Sequence, residues 1–226
     1  MKLSAMAKFQ LKKIYPMGFL LFAALALAGC AVFQTSTEIQ AGRLALMIGK
    51  PQVALAHFRQ AAELDPDYIT RFTPFKEGVW TYVGRASYET ENYPAARQAL
   101  EKASARYGND HLAKLFLGLT LAREGDRQRA QQELERGMKG LHDWLEDLSQ
   151  TLRFSYGQYW DPQREIRSEL QAGLAGLSSK ELDWANLIAR GEKVGKRMEE
   201  EIDRAAQAER FFQGRDSDGR DGGRTR

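Results

Sequence analysis

The sequence predicts an all-α chain: a solenoid of about three helical hairpins, closed by a capping helix and followed by two further C-terminal helices. Three observations carry this expectation. Small residues recur at one period, since Gly84 to Gly118 and Ala96 to Ala130 are both 34 residues apart. Apolar residues beyond these repeats return every three or four positions, the spacing of one helix face. With 226 residues, 43% of them hydrophobic, the chain has enough apolar surface for one substantial core with tails.

The first segment, 1–29, has a lysine-bearing, acid-free start, an apolar stretch from Met17 to Ala28, and small residues before Cys30. That is the layout of a secretory signal. The apolar run is about 12 residues, shorter than the roughly 20 that span a bilayer. An uncleaved anchor helix extending back to Ile14 is the weaker alternative, because Pro16 and Gly18 interrupt its start. All four charges of this segment are lysines, and without them 29 Lys+Arg face 30 Asp+Glu. The remaining chain is close to neutral, which excludes the basic stripe that a phosphate backbone would require, so nucleic acid is not an expected partner.

Leu27, Ala28, Gly29 and Cys30, the only cysteine in the chain, resemble the bacterial lipobox. The resemblance implies a lipoprotein: cleavage before Cys30, a diacylglyceryl thioether on its sulfur, and acylation of the new amino group. Two or more acyl chains hold a protein stably on a membrane, whereas one does not. Residues 30–34 then form the lipidated N-terminus and a short tether. Ala31 follows the cysteine, where an aspartate commonly retains such proteins in the inner membrane. By resemblance the chain belongs on the periplasmic face of the outer membrane of a Gram-negative envelope.

The repeat region, 35–153, contains three alignable segments. The third is KLFLGLTLAREGDRQRAQQELERG, with Leu117, Gly118, Leu121, Gly125, Ala130, Leu134 and Gly137. The second places Trp80, Val83, Gly84, Ala96, Leu100 and Ala103 at matching sites, and the first supplies Gly42, Ala45, Gly49, Ala54, Phe58, Ala61 and Pro66. Over roughly residues 35–144 these resemble the tetratricopeptide repeat, whose unit is two antiparallel amphipathic helices. Small residues sit where helices approach, and Phe58, Leu100 and Leu134 fill the space between neighbours. No unit buries its apolar face alone, so about three must stack. The first two units lie 42 residues apart from Gly42 to Gly84, leaving eight extra residues near ITRFTPFK. There Thr73 before Pro74 predicts the cap of a longer helix through Trp80.

Leu141, Trp144, Leu145, Leu148 and Leu152 make LHDWLEDLSQTL the capping helix. The aromatic stretch RFSYGQYWDPQ follows, with Phe154, Tyr156, Tyr159 and Trp160 expected to plug the apolar end of the stack. In the C-terminal helical region, 154–213, one helix is expected over Gln163 to Leu177. A longer one should run from Ser179 to about Phe212, with Ser178 and Glu181 as a capping box. Trp184, Leu187, Gly191, Val194, Met198, Ile202, Ala205 and Phe212 form a narrow seam on the long helix. A seam needs a partner: the preceding helix or the repeat surface, or else a second subunit or another protein. The run EEEID at 199–203 reads as a solvated face. The tail, 214–226, has four glycines and no larger apolar side chain, and is expected to be disordered.

None of His57, His111 and His142 has a second ligand at metal-motif spacing, and no phosphate loop or nucleophile elbow is present. No metal, no cofactor, no small-molecule substrate and no enzymatic activity are therefore expected. The repeat resemblance implies a concave groove lined by Arg43, Arg85, Tyr88, Leu115, Leu119 and Arg123. Three arginines converging there would favour a carboxylate or an acidic peptide or helix. The family's carboxylate clamp also needs a lysine and an asparagine at matching sites, and these are missing. The expected function is a membrane-anchored scaffold or adaptor that binds protein partners in the bacterial envelope. It resembles repeat lipoproteins that assist pilus secretin assembly or tether envelope proteases and cell-wall enzymes. The alternative is a structural subunit of an envelope assembly that pairs through its long C-terminal helix.

Overall fold

The computed structural model describes residues 33–72, 75–152 and 156–221. Cys30, the signal segment, Thr73, Pro74, Phe154 and the side chains of Tyr156 and Phe212 lie outside the described residues.

Helix α1 covers residues 33–47 and turns through Gly49, whose φ of +71° is a left-handed conformation suited to glycine, into α2 (Pro51–Leu64). Pro51 opens α2, where a missing N–H costs nothing. Beyond an antiparallel strand pair come α3 (Val79–Glu89), α4 (Tyr93–Arg106), α5 (His111–Glu124) and α6 (Arg127–Thr151). Asn92, Asp110 and Asp126 cap α4, α5 and α6, each accepting from the backbone N–H three residues on. Consecutive helices from α2 to α6 pack on one another. After a 3-10 turn at Tyr156–Tyr159, α7 (Glu165–Leu177) packs on α6. Helix α8 (Trp184–Asp221) packs on α7 and returns across α5. The fold is mostly helical, as expected.

Each hairpin repeats one close contact. A Cβ placed on Gly42 would overlap the Phe58 ring, on Gly84 the Leu100 side chain, and on Gly118 the backbone and side chain of Leu134. The large residue stands sixteen positions after the glycine in all three, so Phe58, Leu100 and Leu134 pack across their own hairpins. Helices α5 and α6 come closest at Gly137, where a Cβ would lie 2.4 Å from the backbone nitrogen of Leu115. Gly137→Ala is therefore expected to cost about 2 kcal/mol, overpacking outweighing the helix propensity gained. Gly176→Ala, whose Cβ would meet only Leu187 Cδ2 at 3.2 Å, should be near neutral. Thermal melts of the two variants check this, with a fall of roughly 4–8 °C expected for the first alone.

Four expectations change. The insert does not lengthen a helix; it forms β1 (Ile69–Phe72) and β2 (Phe75–Gly78), paired antiparallel with Ile69 opposite Gly78. Its β-branched and aromatic residues suit a strand, and the pairing uses backbone groups that a helix would have used. The capping helix is the continuation of α6, with no break at Gly137 or Gly140. Helix α8 starts on Asp183, which accepts from Asn186 N at 3.0 Å, while Ser178 only ends α7. It runs through Asp221, past Gly214 where disorder is expected. Once a helix is nucleated, each further residue adds one bond for one residue fixed.

Trp160 is buried and meets Trp144 edge-on at 5.0 Å, and both meet Phe75 of β2. The plug thus includes a ring from the strand insert. Asp161 accepts from the N–H groups of Ile166 and Arg167 at 3.0 Å each and from Arg167 Nε at 3.1 Å, fixing the start of α7.

Candidate functional site

Four of the six expected groove residues meet carboxylates or hydroxyls brought in from elsewhere in the chain. Arg43, on α1, donates to Glu199 Oε2 at 2.9 Å and to Asp203 Oδ1 at 2.8 Å. Arg85, on α3, donates from Nη1 to Glu77 Oε1 at 2.7 Å and to Glu199 Oε1 at 2.5 Å. Its guanidinium stacks on the Phe116 ring at 5.1 Å. Tyr88 donates to Glu192 Oε1 at 2.5 Å, and Arg123 bonds both Tyr88 Oη at 3.2 Å and Glu192 at 2.8 Å. Glu192, Glu199 and Asp203 all belong to α8.

The apolar side chains complete the seat. Leu119 is buried against Gly191, and Phe116 against Gly195, where a Cβ would stand 2.7 Å and 2.5 Å from the facing side chain. Two glycines one turn apart thus let α8 approach α5 closely. Leu115 is fully buried where α5 meets α6 at Gly137. Leu187, Val194, Met198, Ile202 and Ala205 of the seam are buried with it. The face expected to form a groove is therefore occupied by α8, and the long helix finds its partners in α5 and α7.

The packing of α8 overturns the reading of EEEID as a solvated face at Glu199 and Glu201, while Glu200 stays exposed as expected. Glu199 and Glu201 are 4% and 7% exposed, and Glu201 accepts from the backbone N–H of Asp161. Burial of that many carboxylates is tolerable only because each is paired.

The electrostatics divide the two carboxylates that share Arg85. Burial pushes the Glu77 carboxyl up to about 7; Arg85 opposes this, while Glu199 and Asp110 add to it. Burial also works on Glu199, but Arg85 and Arg43 together outweigh it and hold its carboxyl below the usual range. Glu77 Oε2 and Arg85 Nε are buried without a hydrogen-bond partner among the described residues. Burial raises the Tyr88 hydroxyl, and its bond to Glu192 works in the same direction. A cavity of about 340 Å³ opens beside the clamp, between Leu46, Met47, Glu89, Phe116 and Lys196.

Glu77, Glu192, Glu199 and Asp203 escaped sequence reasoning. Asp110 did as well: it is buried and accepts from Gly78 N at 3.1 Å and Thr81 Oγ1 at 2.6 Å, joining β2 and α3 to α5. The spacing of 192, 199 and 203, seven and then four residues, was the available signal, since it puts three acids on one side of the seam. Among the described residues no group of three or more His, Cys, Asp and Glu is placed to hold a metal ion. No helix among them is long and apolar enough to cross a membrane. Chemically, the arrangement is a set of guanidinium and phenol donors aimed at carboxylates of an amphipathic helix.

No family model, curated protein or solved structure matches this chain.

Proposed function

We propose that this chain is a lipid-anchored scaffold or adaptor of the bacterial envelope, a solenoid of three tetratricopeptide-type hairpins attached through Cys30. The repeat reading is supported by the glycine-to-large-residue contact made sixteen positions apart in each hairpin. One observation carries the adaptor reading: Arg43, Arg85, Arg123 and Tyr88 converge on one face and grip acidic side chains of an amphipathic helix. The face recognises an acidic helix through charge-assisted hydrogen bonds, with apolar contacts beneath them. Its resident is α8, and a partner protein would offer a helix of the same chemistry in competition with it. Pairing between chains through the α8 seam is disfavoured, because that seam is buried within the chain.

The rim of the clamp is the place to test this. Arg123 and Glu192 are 41% and 35% exposed, so their pair contributes at most about 1 kcal/mol. Glu192→Gln should leave the fold intact and raise the population of undocked helix several-fold. A photo-crosslinking amino acid at the exposed Glu89, on α3 beside the clamp, is expected to capture a defined envelope protein in cells, more strongly in the Glu192→Gln background. If it captures only the chain itself in both backgrounds, the adaptor has no proposed surface. Membrane fractionation of Cys30→Ser tests the anchor, and the variant is expected to leave the membrane fraction.

A further inference from the structure

The described residues expose large apolar side chains in one place only, the first hairpin. Phe33 is 74% exposed, Leu44 59%, Ile48 58%, Val53 47% and Met47 45%. On α1 these fall on one face, as Phe33, Thr37, Ala41, Leu44 and Ile48 follow each other at three- and four-residue steps. Met47 and Val53 extend the face around the α1–α2 turn. The other side of α1 is committed inward, with Ile39 buried, Gly42 against Phe58 and Arg43 on α8. A terminal hairpin of a stacked array normally turns a polar face outward. This one turns an apolar face outward, and the face needs an occupant.

Charge and position select that occupant. The exposed side chains of α1 (Phe33, Gln34, Thr37, Gln40, Leu44 and Met47) include no charged group, and Glu38 turns aside to His57 Nδ1 at 2.7 Å. Exposed Lys50 stands at the tip, where an anionic headgroup would be welcome. Phe33 is three residues after Cys30, a span of at most about 11 Å. The stripe then runs the length of α1, about 22 Å for its 15 residues. A second copy of the chain would need roughly 20–30 residues a side for a stable interface, and this face offers far fewer.

We propose that the outer face of the first hairpin, Phe33, Leu44, Met47, Ile48 and Val53, rests in the interface of the membrane to which the chain is anchored. Helix α1 lies flat there, with its apolar side chains at the boundary of headgroups and acyl chains. The inference rests on the reading of Cys30 as the lipidated residue. The lipid then sets the distance of the chain from the bilayer, and the α1 face sets its orientation. The α8-filled face is held in one pose relative to the membrane, where a freely swinging tether would give none.

The test uses the processed full chain in vesicles of phosphatidylethanolamine and phosphatidylglycerol. Cys30 is the only cysteine, so a lipidated chain has no other thiol, and Leu44→Cys, Ile48→Cys and the exposed control Gln132→Cys can each take one nitroxide label. Collision with oxygen relative to a water-soluble nickel chelate reports depth. The oxygen-to-nickel ratio is expected to be several-fold higher at positions 44 and 48 than at 132. Equal ratios at all three positions overturn the proposal. So does spin–spin broadening at 44 and 48 in chains kept off the vesicles, which would identify a second copy as the occupant. Mass spectrometry of the Cys30 peptide reports the anchor separately: an unmodified thiol with labels still at depth removes the anchor and leaves the face.

Discussion

At pH 8.5, where Glu77 is ionised in the fold, Arg85→Ala is expected to lower the stability by about 4 kcal/mol, because it leaves a buried carboxylate without its counter-charge. Glu77 is fully buried and its charged partner is Arg85. Glu199 keeps Arg43 at 2.9 Å, so the loss falls mainly on Glu77, with the stack on Phe116 forfeited as well. The variant should unfold at a clearly lower urea concentration at pH 8.5, and by a smaller margin at pH 5, where Glu77 holds a proton. The double variant Arg85→Met/Glu77→Gln should recover more than half of the difference, since removing both charges removes the orphan along with the pair. A single-variant loss below about 1 kcal/mol would place this ion pair with exposed ones, and the clamp would hold nothing.

The same guanidinium explains why the fold was more legible than the site. The 34-residue period and the sixteen-residue step from Gly42, Gly84 and Gly118 are local, because both partners of each contact sit in one hairpin. The arginines, on three different hairpins, were legible as a converging set only through the repeat resemblance, which gives the first helix of each pair one shared face. Their acids were not: Glu199 lies 114 positions from Arg85 and 156 from Arg43. On a charged helix a carboxylate facing water and one facing two arginines have the same sequence neighbours. What distinguishes them is which side of the apolar seam they flank, and Glu192, Glu199 and Asp203 all flank one side. The insert near Thr73-Pro74 failed differently. The cap signal at Thr73-Pro74 pointed to a helix, whereas the aromatic and β-branched residues on either side form the strands β1 and β2.

Glu77 makes the stability of the fold depend on pH in a direction opposite to ordinary acid denaturation. Its carboxyl is pushed from 4.5 in the unfolded chain up to about 7 in the fold, first by burial and then by Glu199 and Asp110, with Arg85 resisting. Below pH 4.5 both states hold the proton and the contribution is complete. Between 4.5 and 7 the folded state binds more protons than the unfolded one, so stability falls as pH rises. The shift amounts to on the order of 3 kcal/mol across that window. Glu199 acts with the opposite sign, because its carboxyl is held low: its contribution is present above 4.5 and fades as pH falls below that. The two acids therefore place the most stable α8 seat near pH 4.5 to 5. Urea midpoints of the native chain are expected to drop from pH 5 to pH 7.5. In Glu77→Gln, which keeps an oxygen acceptor for Arg85, most of that drop should disappear. A remnant is expected from Asp110 and Glu89, whose carboxyls burial also raises. Identical slopes in the two proteins would mean that Glu77 stays ionised in the fold, paired with Arg85 throughout.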